Sequence, residues 1–276
     1  MLAHRGLCWG KLKRINQNDL MIEEIKKELK NLEDDKKIKV LYAVESGSRA
    51  WGFASKDSDW DVRFIYIHHY DWYLSVEEKK DNIEIILPND IDLGGWELRK
   101  ALLLFRKSNP PLLEWLKSPI KYNENYSIAN ELRKATEIYF NPKSCLYHYF
   151  HMAQGNYDAY FKENIVRLKK YFYVLRPIFA CCWIERTKEM APMEFQQLMN
   201  AEIGDGELQN EINLLLEKKI AGDELDKGER ISIIDNYIET KLTHFKNYLE
   251  TYNIKKAPGF SELNILFRNS LKEAWG

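Results

Sequence analysis

The apolar residues of this chain follow strand-like patterns before about residue 95 and a helical pattern after it. Residues 38–44, 60–67 and 83–87 form short runs that are rich in β-branched residues or alternate between apolar and polar side chains, which is typical of strands. Residues 90–93 form a shorter fourth segment of the same kind. Residues 96–107 instead repeat apolar side chains every three or four positions, which predicts an amphipathic helix.

The remainder of the chain has helical periodicity, interrupted by short segments that contain glycine or proline. The predicted helices span 127–139, 142–155, 163–188, 191–203, 206–221, 229–252 and 259–274, with an earlier one at 22–32. Strands that come first and helices that follow indicate an α+β fold rather than alternating α/β units. We therefore expect a small mixed-sheet head followed by a mostly helical C-terminal half.

These patterns divide the chain into three parts. Residues 1–20 have no clear periodicity and are predicted to be an N-terminal appendage, residues 21–125 a sheet-containing domain and residues 126–276 a helical domain. The composition of the 276 residues, 45% hydrophobic and 30% charged, is that of a folded globular protein. A formal net charge of −1 excludes a global positive field that would attract nucleic acid or membrane. Any polyanion must therefore be held by a local patch.

Two further features bear on the compartment. The longest apolar stretches, such as 101–105 and 178–184, are far shorter than the roughly 20 residues that a membrane span requires. The four cysteines have no spacing typical of a disulfide framework. We expect a soluble protein of the reducing cytoplasm with no membrane partner.

Candidate chemistry is concentrated between the first and second predicted strands. Gly47 and Ser48 follow the first strand, where a turn and a helix N-terminus would offer backbone N–H groups to phosphate oxygens. Asp59 and Asp61 stand two residues apart at the start of the second strand. Side chains at that spacing lie on the same face of a strand, so the two carboxylates are expected to act together.

A third carboxylate on a neighbouring strand would complete a metal site. Asp92 is the candidate, with Asp90 as the less favoured register. Carboxylates combined with substrate phosphates are a typical environment of Mg²⁺. Three acids around two ions roughly 3.5–4 Å apart would stabilise the attacking and leaving oxygens of an in-line displacement at phosphorus.

Longer stretches of sequence carry a family resemblance. They are Glu45–Ser55, Asp59–Tyr66, Asp71–Ser75, Gly95–Leu102, Asn109–Pro119 and Lys169–Pro177. These motifs resemble the RNA-repair-pathway DNA polymerase β family, a group of predicted nucleotidyltransferases of the polymerase β superfamily. The resemblance extends from about Met21 to the C-terminus.

The resemblance implies transfer of a nucleoside monophosphate from an NTP such as ATP to an acceptor hydroxyl, with release of pyrophosphate. It implies two Mg²⁺ ions, for which Mn²⁺ could substitute. In this reading Gly47 and Ser48 hold the triphosphate and Asp59 and Asp61 bind both metals. Asp92 binds one metal and activates the acceptor hydroxyl.

The identity of the acceptor is a separate inference. The family is associated with RNA ligases, which implies RNA as the acceptor and an RNA ligase in the same pathway as a partner. Two alternatives stay open. One is nucleotidylation of a protein or a small molecule, and the other is an RNA-binding subunit that keeps the fold without turnover.

Charged residues near the motif have expected roles of their own. Arg63 shares the Asp59 and Asp61 face by strand alternation, so it could contact the triphosphate or neutralise the acids. Glu45 and Arg49 flank the Gly–Ser turn and are expected to form a salt bridge with each other.

A basic stripe is predicted on the helix at 163–188. Lys162, Lys169, Tyr173 and Arg176 recur at helical spacing and are expected to bind phosphate and stack on a base. The alternative is a solvated basic face. The segment 204–229 is acidic by contrast, and we do not expect it to contact RNA.

Overall fold

The computed structural model describes residues 17–222, 227–252 and 256–276. Its strands are β1 (Ile38–Glu45), β2 (Trp60–His68), β3 (Asn82–Leu87), β4 (Ile91–Glu97), β5 (Lys121–Asn123), β6 (Ile165–Arg167) and β7 (Lys227–Glu229). Its helices are α1 (Gln17–Lys36), α2 (Gly47–Ala50), α3 (Tyr70–Tyr73), α4 (Leu98–Arg106), α5 (Pro110–Lys117), α6 (Ile128–Tyr139), α7 (Pro142–Tyr160), α8 (Lys170–Thr187), α9 (Phe195–Glu202), α10 (Glu207–Ala221), α11 (Ser232–Thr251) and α12 (Ser261–Trp275).

Five strands form one mixed sheet in the order β3-β4-β2-β1-β5. β2 and β4 run parallel, and the other neighbouring pairs are antiparallel. Helices dominate after residue 127, which confirms the predicted α+β class. Among the described helices, none is both long and apolar enough to cross a membrane.

Each face of the sheet packs on its own hydrophobic core. Helix α1 covers one face, where Ile25 and Leu29 contact a cluster that includes Val62 and Phe64 of β2. The opposite face packs against the helical half through a larger cluster that includes Ile65 of β2. Strand β2 is therefore buried on both sides along most of its length.

The second face is polar at the start of β2. By strand alternation, Asp61 and Arg63 lie on the same face as Ile65 and Ile67, yet only the two isoleucines join the hydrophobic core. The helices thus leave the first part of this face uncovered. This uncovered part is where the predicted acids stand.

One core connects the sheet to the helical half. Residues of β1 and β2, such as Leu41 and Ile65, belong to the same cluster as Leu175, Phe179 and Ile238 from helices α8 and α11. The boundary proposed at residue 125 therefore does not separate two hydrophobic cores, and the domain division stays a prediction. Of the predicted appendage, residues 1–16 lie outside the described residues, and residues 17–20 belong to α1.

Several elements differ from the predicted pattern. The helix expected at 163–188 starts only at Lys170, because residues 165–167 form β6 and pair with β7. Helix α5 was not predicted, although its start carries a clear signal. Asn109 caps it by accepting a hydrogen bond from the N–H of Leu112 at 3.2 Å, and Pro110 follows directly, as is favoured at a helix N-terminus.

Strand β4 is longer than the predicted segment 90–93 and continues to Glu97. Two adjacent glycines, Gly94 and Gly95, make this stretch look like a turn in the sequence. In the structure Gly95 is required by packing, since a Cβ atom there would lie 2.2 Å from Cε2 of Phe64. The strand therefore passes through the glycines and extends the sheet.

Candidate active site

The bend after β1 is held against the strand that carries the acids. Gly47 has a φ of +58°, a conformation that side chains other than glycine rarely adopt. A Cβ atom on Gly47 would lie 2.1 Å from Oδ2 of Asp61. The N–H of Ser46 donates to the carbonyl of Asp61 at 2.8 Å. Glycine at this position therefore allows the bend and the Asp61 carboxylate to be close neighbours.

The short helix α2 begins at this bend. Its first N–H groups have no acceptor within the helix, as at any helix N-terminus. The carbonyls of Gly47 and Ser48 accept from the N–H groups of Trp51 and Phe53, at 2.9 and 3.1 Å, and so fix the turn. Gly47 and Ser48 both line a cavity, and the bend is therefore suited to offer backbone donors to an anion.

This cavity has a volume of about 480 Å³ and gathers several kinds of group; we call it the nucleotide cavity, after the ligand that the sequence motifs lead us to expect there. Its walls are the bend (Ser46, Gly47, Ser48), acids (Asp57, Asp59, Asp61), lysines (Lys169, Lys219), aromatic rings (Trp51, Phe53, Phe172, Tyr173) and two further serines (Ser55, Ser58). Acids and lysines facing the same space can bind a metal and an anionic ligand together. The aromatic rings add a surface on which a planar ring can pack.

Arg49 positions the loop that carries Asp59. Its guanidinium donates to the carbonyls of Ser58 at 2.6 Å and Asp59 at 3.1 Å, and it packs 3.8 Å above the ring of Trp60. Both Arg49 and Glu45 are described by the structure, and the salt bridge expected between them is not formed. That expectation was wrong because Glu45 points into the interior while Arg49 spans the loop.

Glu45 supports the backbone of Asp61. It is fully buried, and its Oε1 accepts from the N–H of Asp61 at 2.9 Å while its Oε2 accepts from the hydroxyl of Tyr122. Burial raises the pKa of Glu45 to about 7, and the bond from Tyr122 partly opposes the rise. The sequence analysis missed this role, because it depends on β1 and β2 being paired.

Glu45 should make the stability of the protein depend on pH. Its pKa rises from 4.5 to about 7 on folding, so the folded state retains a proton that the unfolded state loses. The free energy of unfolding is therefore expected to fall as the pH increases from about 4.5 to 7, by about 3 kcal/mol from this group. In Glu45→Gln this component should be absent, since an amide keeps the bond from Asp61 and does not titrate.

Urea unfolding of both proteins at pH 5 and pH 8, in EDTA so that no metal contributes, would measure the difference. The free energy of unfolding of the wild type should fall by more than that of the variant. Parallel pH profiles in the two proteins would contradict the assignment.

Asp61 and Asp92 are brought together across the parallel pair β2–β4, where they are register partners. Arg63 lies between them. Its Nη2 donates to Oδ1 of Asp61 at 3.2 Å and to Oδ2 of Asp92 at 2.7 Å, and its Nη1 donates to the carbonyl of Asp92 at 2.8 Å. Of the two roles left open for Arg63, this geometry matches neutralisation of the acids.

The negative charge at this point exceeds what Arg63 offsets. Burial raises the pKa of Asp61, Arg63 lowers it, and the carboxylates of Asp92 and Asp59 raise it further. A divalent cation would be stabilised by the same excess of charge. Within the described parts of the chain, no group of three His, Cys, Asp or Glu residues is arranged to hold a metal by itself. Asp59, Asp61 and Asp92 thus do not form a complete ligand set by themselves. The two carboxylates that line the cavity, Asp59 and Asp61, are donors of the kind that Mg²⁺ accepts together with ligand phosphates.

Helix α8 brings two of the predicted stripe residues to the nucleotide cavity. Lys169 and Tyr173 line it. The pKa of Tyr173 is raised by burial and then by the charges of Asp61 and Asp59. Lys162 lies outside α8, because residues 165–167 form β6 and α8 begins only at Lys170.

The structure does not bring Arg176 to the surface of the nucleotide cavity. Its side chain is 3% exposed and forms an ion pair with Glu114 at 2.9 Å. Its guanidinium also lies 4.5 Å from the ring centroid of Trp51. The helical stripe predicted Arg176 as a phosphate ligand, but this part of α8 is packed in the interior. Arg176 therefore supports Trp51, which does line the nucleotide cavity.

Lys219 is a cavity residue that the sequence analysis missed. It lies near the end of α10, within the segment considered too acidic to contact RNA, and its Nζ donates to Oγ of Ser55 at 3.2 Å. Burial and the charge of Lys169 lower its pKa. The two lysines thus approach the same space from different helices, which no local sequence signal indicates.

Comparisons with known proteins agree with the motifs. A model of the RNA repair pathway DNA polymerase beta family matches residues 21–269. The uncharacterized protein YcgL of Bacillus subtilis (strain 168) is 48% identical over 255 residues, which cover 92% of this chain and 98% of that protein. A nucleotidyltransferase-like protein from Exiguobacterium sibiricum 255-15 aligns in structure over 90% of both chains, with 12% identity and a TM-score of 0.30. The chain belongs to the RNA repair pathway DNA polymerase beta family, and membership of this family indicates a nucleotidyltransferase of the polymerase β type.

Proposed function

We propose that this protein is a Mg²⁺-dependent nucleotidyltransferase that transfers NMP from an NTP to an acceptor hydroxyl of RNA, with release of pyrophosphate. The observation that carries the proposal is the contact between the bend and the acid strand. The bare Cα of Gly47 adjoins the carboxylate of Asp61, and both line a cavity that also holds Asp59 and two lysines. Phosphates and their metals would meet in this space.

The nucleotide cavity offers distinct surfaces to the parts of an NTP. The N–H groups at Gly47 and Ser48 are suited to phosphate oxygens. Lys169 and Lys219 supply positive charge at the same cavity. Trp51 and Tyr173, whose ring centroids are 6.0 Å apart, offer aromatic surface to the base. A cavity of about 480 Å³ lies within the usual range for small-molecule ligands.

Asp59 and Asp61 are the proposed metal ligands. Mg²⁺ bound there would neutralise phosphate charge and favour ionisation of the attacking hydroxyl, and Mn²⁺ could take its place. Asp92 is proposed to bind one ion and to accept the proton of the acceptor hydroxyl. Because Nη2 of Arg63 contacts Oδ2 of Asp92 at 2.7 Å, Oδ1 is the oxygen that would accept this proton.

The family description supports RNA as the acceptor, and an RNA ligase is the corresponding partner. The direct test is incubation with each of the four α-labelled NTPs, Mg²⁺ and total RNA, with the Asp59→Asn/Asp61→Asn double variant as the control. We expect label on RNA only with the wild type. Label on the protein or on a small molecule alone would reject the RNA acceptor, and equal label with the double variant would assign the activity to a contaminant.

Metal removal should abolish the reaction. After dialysis against EDTA, we expect the transfer rate to fall at least about a thousandfold, because metal charge stabilises several kcal/mol of transition-state charge. Mg²⁺ should restore the rate. Transfer that continues in excess EDTA would contradict the proposal. An RNA-binding subunit without turnover would instead show no transfer with any metal, and its RNA affinity would be the same in Asp59→Asn.

A further inference from the structure

A second cavity lies on the other side of the acid pair. It has a volume of about 630 Å³ and is lined by residues of β2, β3, β4 and α5, including Arg63, Asp92 and Trp96; we call it the acceptor groove. Asp61 lines the nucleotide cavity, and Arg63 bonds to both Asp61 and Asp92. The Asp61–Arg63–Asp92 bridge is therefore the wall shared by the two cavities.

We propose that the acceptor groove binds the terminal nucleoside of the RNA acceptor, with its base packed on the aromatic side of the groove. The inference rests on the proposed function, because it identifies where the second substrate of that reaction enters. In-line displacement at phosphorus requires the attacking hydroxyl to approach opposite the leaving pyrophosphate. The bend after β1 lies on one side of β2, and the β3 and β4 walls of the groove lie on the other, so the two substrates would approach the acids from opposite sides.

The lining of the groove favours a planar ring. Trp96 stacks on Trp115 with ring centroids 4.0 Å apart and an angle of 26° between the planes. Both rings line the groove, and Trp115, which is 4% exposed, holds Trp96 in place through this stacking. Aromatic rings and arginine planes are the surfaces on which proteins stack unpaired bases.

An exposed apolar side chain adjoins the acid. Ile86 is 83% exposed on β3 and is the register partner of Asp92. Strand alternation places Ile86 on the same face as Asp92, Gly94 and Trp96. The absence of a side chain at Gly94 leaves room for Arg63, since a Cβ atom there would lie 3.0 Å from its Cδ. Ile86, Arg63 and Trp96 thus line the same groove as Asp92 with surfaces suited to a base.

The charges of the groove favour an end of RNA over a long stretch of it. Among the residues that line the groove, all of which are described, Arg63 is the single cation, and Glu84 and Asp92 are acids. Such a lining cannot neutralise a run of phosphates. We therefore expect RNA binding here to depend weakly on salt, with a log–log slope shallower than about −1.5, which corresponds to at most two phosphates.

Binding can be measured without turnover. A trinucleotide RNA with 2-aminopurine at its 3′ end should lose fluorescence when that base stacks in the groove. In Ile86→Asp and in Trp96→Ala we expect the affinity to fall about fivefold to a hundredfold, as for loss of a stacked base. The matched control is Ile165→Asp, a substitution of another exposed strand isoleucine, 51% exposed, that lines neither cavity. It should bind as the wild type does.

Nucleotide binding is followed in parallel with a fluorescent NTP and Mg²⁺. Ile86→Asp should leave it unchanged, and because Ile86 is exposed this variant should fold. If the 2-aminopurine fluorescence falls equally with the wild type, Ile86→Asp and Trp96→Ala, the acceptor groove does not bind the terminal nucleoside, even if the protein transfers NMP. A log–log dependence of the RNA affinity on salt that is steeper than about −1.5 would also overturn the proposal. Displacement of the RNA by a tyrosine peptide would overturn it too, because the groove would then bind a protein acceptor. If both groove variants lose RNA affinity and the wild type transfers no NMP, RNA binding in the acceptor groove is supported and the proposed transferase activity is rejected.

Discussion

Replacing Asp61 with asparagine is expected to reduce the rate of nucleotidyl transfer at least about a thousandfold while leaving the protein folded. The contacts that hold the main chain at this position remain, because Ser46 and Glu45 bond to the carbonyl and the N–H of residue 61 rather than to its side chain. The amide oxygen can still accept from Arg63. What is lost is one negative charge next to the proposed metals and phosphates.

The measurement compares kcat and thermal unfolding for the wild type, Asp61→Asn and Asp71→Asn. Asp71 has a side chain that is 90% exposed and lines neither the nucleotide cavity nor the acceptor groove, so its variant should behave as the wild type does. Stability should be equal or slightly higher in Asp61→Asn, because burial and two neighbouring carboxylates disfavour the charge of Asp61. Retention of more than a tenth of the wild-type rate would remove Asp61 from the reaction.

Replacing Gly47 with alanine should reduce transfer at least about a hundredfold and destabilise the fold by about 1–3 kcal/mol. Two effects combine. Alanine is strained at a φ of +58°, and its Cβ would overlap Oδ2 of Asp61 at 2.1 Å, so the carboxylate must move away from the bend. A shift of about 1 Å in a catalytic group is enough to lower the rate on the order of a hundredfold.

Gly52 provides a control that separates the two effects. It also has a positive φ, +85°, but a Cβ atom there would meet nothing within 4 Å. Gly52→Ala should therefore lose stability while retaining most of the activity. If both alanine variants lose activity in proportion to their stability, backbone strain alone explains the result, and the contact between Gly47 and Asp61 has no separate role.

The local order of residues was enough to predict that Gly47, Ser48, Asp59 and Asp61 gather at one cavity, and their role as a catalytic site stays a prediction. A buried strand, a Gly–Ser bend and Asp59 and Asp61 at a spacing of two residues lie within one continuous stretch. Strand alternation accounts for Asp61 on β2, whereas Asp59 lies in the loop just before β2, which Arg49 holds. Asp92 required a further inference about which strands are neighbours. The register of β2 and β4 places Asp92 opposite Asp61.

The residues that the sequence did not reveal act over long distances along the chain. Glu45 was expected to form a salt bridge with Arg49. It is buried instead, because β1 pairs with β2 and β5. Lys219 lies in the acidic segment 204–229, so the local composition indicated no contact with an anionic ligand. Arg176 has the spacing of a ligand, but its position is decided by Glu114, 62 residues away. In each case tertiary packing, which local periodicity does not encode, determined the role.

The core shared by the sheet and the helical half limits how proteins of this family can evolve. The acids of the nucleotide cavity come from β2 and the loop before it, and its lysines come from the residue that precedes α8 and from α10. Both halves pack into one continuous interior. A helical half taken from another protein would have to match the sheet at many buried positions at once. New substrate specificity should therefore arise by single substitutions along the cavity walls rather than by exchange of whole domains. The sheet-containing part, residues 21–125, should not fold into an active enzyme on its own.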